Sequence, residues 1–150
     1  ELALEAGRAL LREQEIDPEA IGLLVYTGAS GMRAFLPGDS TEFDVSYLTT
    51  TARFRYPATR LQYELGLSNA SVLGIDQLVC TGIFGAVRVA AGLCVAEGMD
   101  AALCVSTDFY PPDAGREAIF NCTSDAACAV LVVREGERNR IVASHTVTKG

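Results

Sequence analysis

Leu73-Gly-Ile-Asp-Gln-Leu-Val-Cys80-Thr-Gly-Ile-Phe-Gly-Ala-Val-Arg-Val-Ala-Ala-Gly-Leu93 is the stretch on which the fold turns. Its first part belongs to an apolar run, Ala70 to Leu78, that reads as a buried strand. Thr81-Gly82 follows Cys80 at once, and from Gly82 to Glu97 small and apolar residues dominate: Ala86, Val89, Ala90, Leu93, Val95 and Ala96. That segment predicts a helix apolar on nearly every side, hence buried, with Gly98 as its stop. Cys80 then stands on the turn between strand and helix. The free N–H groups and the dipole at a helix start favour a thiolate there, and a thiolate is a nucleophile. The competing reading, open at this point, is that Cys80 is a small buried hydrophobe, the commonest fate of an unpaired cysteine.

Outward from this centre the elements alternate. Glu1 to Glu15 has apolar residues at helical spacing, and Asp17-Pro18 breaks it. Ile21 to Tyr26 is a continuous apolar run that reads as a strand buried on both faces. Thr27 to Pro57, rich in glycine, proline and aromatic residues, reads as a long loop with room for one short helix, and a loop of this length is functional or disordered. Ala58 to Gly66 reads as a helix. Ala101 to Thr107, Ala126 to Val133 and the alternating Ile141 to Val147 read as three further strands, the last two joined by a polar, hairpin-like connection from Arg134 to Arg140. The expectation is an α/β fold with a mixed five-stranded sheet.

Composition narrows the function. The 150 residues are 49% hydrophobic, enough for one domain with a sizeable core. A formal charge of -7 and the absence of any Lys/Arg run argue against nucleic acid. The most apolar stretch, Val79 to Val105, is interrupted by Arg88, Glu97 and Asp100, so no membrane span is expected. The five cysteines are odd in number and hold no CxxC pair, which fits reduced thiols in the cytoplasm better than a disulfide framework or zinc. Cys94, Cys104 and Cys128 lie mid-helix or mid-strand and read as core, whereas Cys122 falls in a loop and stays undecided. Asp108 and Asp125 form a carboxylate pair at strand ends, read as loop caps before acid–base groups. Arg33, Arg53, Arg55 and Arg60 read as a solvated surface, with an acidic carrier or a coenzyme A phosphate as the sharper alternative. Gly28-Ala29-Ser30-Gly31 is only a loose glycine pair, so a dinucleotide-binding domain is disfavoured.

Four pieces, in order and spacing, resemble the 3-oxoacyl-[acyl carrier protein] synthase III family of the thiolase superfamily. They are Pro57 to Leu67, Gly74-Ile-Asp-Gln-Leu-Val-Cys-Thr-Gly82, Glu97 to Asp108, and Asp125-Ala-Ala-Cys-Ala-Val-Leu131. The resemblance runs from about Ala6 to Gly150. It implies a layered thiolase-like fold of which residues 1–150 are the N-terminal half, without its opening strand and without the C-terminal half. Both termini agree with a piece of something longer, since the chain opens on Glu1 inside a helical pattern.

The same resemblance implies that Cys80 accepts an acyl group from acyl-CoA or an acyl carrier protein and passes it to a malonyl-derived carbanion. No tightly bound cofactor is implied. A catalytic His and Asn are expected from the second half, and His145 is not assigned their role. A homodimer is implied, with the strand Ala101 to Thr107 as its edge. Two other outcomes stay open: acyl transfer to an oxygen or nitrogen acceptor, and a non-catalytic partner subunit. Three departures stand. The family has one more residue between Asp76 and Cys80, a glycine at Ala126, and a shorter segment where this chain has Gly28 to Tyr56; the last leaves the substrate open.

Overall fold

The computed structural model describes residues 1–28, 57–76, 78–108, 117–118, 121–122, 124–136, 139–145 and 147. Helix α1 (Leu2–Glu13) buries Ala3, Leu4, Gly7 and Leu11, one stripe at spacings of one, three and four. The break expected at Asp17-Pro18 is a 3₁₀ turn, Pro18–Ala20, in which the Asp17 carboxylate accepts a 3.0 Å bond from the Glu19 N–H. Strand β1 (Ile21–Thr27) follows, then helix α2 (Pro57–Glu64), strand β2 (Ser71–Ile75), helix α3 (Gly82–Glu97) and strand β3 (Ala101–Asp108). Strands β4 (Glu117–Ala118) and β5 (Asn121–Cys122) pair only with each other, and β6 (Ala126–Val133) completes the main sheet.

The main sheet has the order β2-β1-β3-β6. β1 runs parallel to both β2 and β3, and β6 pairs antiparallel with β3 over its whole length. β1 lies between two strands, so its apolar run is buried on both faces as its sequence requires. Alternation then splits the core in two. Leu24, Tyr26, Leu103 and Val105 pack with α1 and α2 on one face. Leu23, Val25, Ala102, Cys104 and Val132 pack with Ala86, Ala90 and Cys94 of α3 on the other. The result is an α/β/α layering around a mixed sheet.

Several expectations are corrected by this arrangement. Helix α3 is not buried all round: Gly82, Ala86, Ala90 and Cys94 face the sheet, while Phe84 is 74% and Val95 73% exposed. Burial on every side needs a layer on both sides, and the described residues supply only the sheet. Strand β2 is shorter than its apolar run and largely exposed, because it is an edge strand. Among the described residues the sheet has four strands, and five were expected. Residues 141–145 and 147 are in no strand, and Ile141 and Val142 stay exposed because no described strand pairs with them to cover an alternating face. Strand β3 is no candidate edge, since β1 and β6 occupy both of its hydrogen-bonding sides. The long loop expected at Thr27 to Pro57 lies outside the described residues from 29 to 56.

Candidate active site

Three parallel strands end at one margin of the sheet, with Thr27, Ile75 and Asp108 as their last residues. In open α/β sheets this margin is where ligands bind. Helix α3 starts at the same margin because it follows β2 through a single 3₁₀ turn, Val79–Thr81. The Leu78 carbonyl closes that turn by accepting two bonds from Thr81, 3.0 Å from its N–H and 2.7 Å from its hydroxyl. Cys80 sits in the middle of the turn with its thiol side exposed.

Thr81 is the N-cap residue of α3, but its hydroxyl is committed to Leu78 and makes no cap bond to the helix. The first N–H groups of a 16-residue helix are therefore left uncapped by that side chain, directly after the thiol. Helix starts are places where an oxyanion can be held by backbone N–H groups.

The turn is seated by close backbone approaches. A Cβ at Gly82 would land on Thr27 Oγ1, and a Cβ at Gly85 on Leu78 Cδ1. At the end of β1, a Cβ at Gly28 would strike the Thr107 carbonyl oxygen. Sequence reasoning singled out Gly82 beside Cys80 but missed Thr27 and the contact between the two. Their only signal was a glycine opening a helix directly after Cys-Thr, and that signal does not name a partner.

The other cysteines differ from Cys80. Cys104 is fully buried, and burial first, then the neighbouring Cys94 and Cys128 thiols, pushes it up to about 12. Cys94 is also buried and is raised, chiefly by desolvation. The core reading holds for both. Cys128 is exposed, contrary to expectation, because it lies opposite Ser106 on the edge strand β6. Cys122 falls in the two-residue β5.

Asp108 pairs in register with Ala126, the residue after Asp125, so both aspartates lie at this end of the β3–β6 ladder. Burial, then Asp108, then Asp76 raise the Tyr26 phenol to about 12. His145 lies in an exposed, irregular stretch. Arg60 makes a 3.6 Å surface ion pair with Glu64 one helical turn on, and the other three arginines of its cluster lie outside the described residues. No group of three or more metal-ligating side chains exists among the described residues, and none of their helices is long and apolar enough to cross a membrane.

No protein-family profile matches the sequence, and no curated protein matches it. Solved structures do. The chain is similar to 3-oxoacyl-[acyl-carrier-protein] synthase III from Aquifex aeolicus at 19% identity and a TM-score of 0.66, covering 91% of this chain and 38% of that one. It is similar to a priming β-ketosynthase of a polyketide biosynthetic pathway at 21% identity and TM-score 0.57, covering 87% and 34%. A third is the HMG synthase of the curacin biosynthetic pathway, in complex with holo donor-ACP, at 18% identity and TM-score 0.61, covering 87% and 28%. The fold is therefore that of the thiolase-like condensing enzymes, and this chain spans little more than a third of their length, or less.

Proposed function

Given a thiolase-like half, we propose that residues 1–150 are the N-terminal half-domain of an acyl-transferring condensing enzyme, with Cys80 as its acyl acceptor. The observation that carries this reading is an exposed thiol in the turn before an uncapped helix start, at the margin where three parallel strands end. Cys80 Sγ attacks the carbonyl of an acyl-CoA or acyl carrier protein thioester. The tetrahedral oxyanion is held by N–H groups at the start of α3, and its collapse expels the carrier thiol and leaves the acyl group on Cys80. A malonyl thioester then loses CO₂. The carbanion so formed attacks the Cys80 thioester, giving a 3-oxoacyl thioester and returning the Cys80 thiolate.

The rest of the polypeptide supplies the groups that handle the malonyl unit, and it packs on the apolar outer face of α3. No tightly bound cofactor is needed for these steps. The intact enzyme is a cytoplasmic homodimer in this reading. A monomer by light scattering at micromolar concentration would remove the dimer.

Mass spectrometry of the intact protein after incubation with a panel of acyl-CoA and acyl carrier protein thioesters tests the assignment. The expected result is a mass gain on the Cys80 peptide that Cys80→Ala abolishes. No adduct from any donor would favour a non-catalytic partner subunit. An adduct that discharges to oxygen or nitrogen acceptors, but never to malonyl thioesters, would favour plain acyl transfer.

A further inference from the structure

Thr27 and Gly82 touch, a contact that no motif in the sequence announces. Thr27 is the last residue of β1 and only 2% exposed. Its register partners on the two neighbouring strands are Ile75 and Ser106, so the three side chains share the face that carries α3. Gly82 is the first residue of α3 and is buried. A Cβ there would clash with Thr27 Oγ1 and lie 3.2 and 3.3 Å from Thr27 Cβ and Cγ2. The threonine has little freedom to swing aside, because its branched Cβ restricts χ1 and it is buried. Helix backbone therefore rests directly on the Thr27 side chain.

On the other side, Leu78 lies over Gly85, one turn into the helix, and its carbonyl takes both bonds from Thr81. The turn that carries Cys80 is thus held between the end of β1 and the first turn of α3. Its height above the sheet margin follows from the size of residues 27 and 82.

Building on the acyl-acceptor reading, we infer that Thr27 and Gly82 act as a positioning pair, which sets where the Cys80 sulfur stands relative to the first N–H groups of α3. Neither residue reacts. A displacement of about 1 Å at a reacting group costs on the order of 100-fold in rate. The contact therefore governs the acylation step rather than thioester binding.

The test is single-turnover acylation of Cys80 in the intact protein, using the donor the wild type accepts. Gly82→Ala, Thr27→Ala and the double variant are compared. Gly82→Ala is expected to lower the limiting acylation rate about 100-fold with the half-saturating donor concentration unchanged. The double variant, which removes Oγ1 and Cγ2 from the new methyl's path, is expected to recover at least about tenfold of that loss. A wild-type rate in Gly82→Ala, or no recovery in the double variant, overturns the pair.

Should Gly82→Ala fail to fold, Thr27→Ala decides alone. It leaves slack under the turn, so a several-fold lower limiting rate at unchanged half-saturation supports the pair, and a wild-type rate refutes it. If the wild type itself takes no acyl group, the acyl-acceptor reading fails. The positioning pair is then read from the rate of Cys80 alkylation by iodoacetamide across the same variants, and equal rates would end it.

Discussion

Phe84→Ala asks whether another layer of the protein covers the outer face of α3. Phe84 is 74% exposed on a helix whose opposite side rests on the sheet. A buried aromatic side chain removes on the order of 200 Å² from water. Covering what is open here would therefore hide about 150 Å², worth roughly 4 kcal/mol at about 25 cal/mol per Å². That agrees with the roughly 3–5 kcal/mol seen for Phe→Ala in cores. A phenylalanine that stays solvated costs no more than about 0.5 kcal/mol on truncation. The assay is urea unfolding of the intact protein, comparing wild type and Phe84→Ala with the slope held in common. A loss of about 3 kcal/mol or more is expected. A loss below about 0.5 kcal/mol would refute the reasoning that an all-round apolar helix marks a second covering layer.

Two further outcomes follow from the same structure. The folded state is expected to weaken in alkali. Cys104 rises from 9.0 and Tyr26 from 10.0, each to about 12, so the unfolded chain releases these protons first. Their contribution is intact below pH 9 and is lost as pH climbs towards 12, at up to about 1.4 kcal/mol per pH unit for each group. Urea midpoints should show Tyr26→Phe with a shallower decline above pH 10 than wild type, and parallel curves would exclude the tyrosine's part. Gly98→Ala should cost about 1 kcal/mol by the same measurement. Gly98 ends α3 at φ 70°, ψ 24°, and nothing lies within 4 Å of an added Cβ, so only backbone strain is felt. Gly98→Asn should cost less, and equal costs would contradict a purely backbone origin.

How far these features were legible in the sequence differs by kind. Helix α3 and strand β6 have the limits their apolar runs suggested, because each run is long and α3 is closed by a glycine that adopts the left-handed conformation. The break at Asp17-Pro18 was legible for a similar local reason, an aspartate capping a proline-led turn. Burial was less legible. Apolar content states what the finished molecule must cover, whereas exposure depends on which layers are present. Hence α3, β2 and Cys128 are more open than their composition suggested. Strand order was not legible either. β3 accepts partners on both sides, and nothing in Ala101–Asp108 says so. The Thr27–Gly82 contact joins residues far apart in sequence, each ordinary in its own surroundings.

The proposed role of Cys80 rests on a comparison of where the thiols of one molecule stand. A sulfur must lose its proton to attack a thioester, and a buried anion is costly unless paired. Cys104 meets that cost in full, being enclosed by Val25, Ala102 and its neighbours and further opposed by two nearby thiols. Cys94 shares the same enclosed layer between α3 and the sheet. Cys128 escapes burial, but it stands mid-strand, where the ladder with β3 presents no helix start. Cys80 combines exposure with a place directly before a long helix, and the Thr81 hydroxyl bonds backwards to Leu78 and does not cap that helix. In the proposed acylation the N–H groups at the start of α3 are the ones that meet the oxyanion. A variant that restored a side-chain cap at residue 81 would compete with the oxyanion for those groups, so the turn's internal bonding and its chemistry are one arrangement.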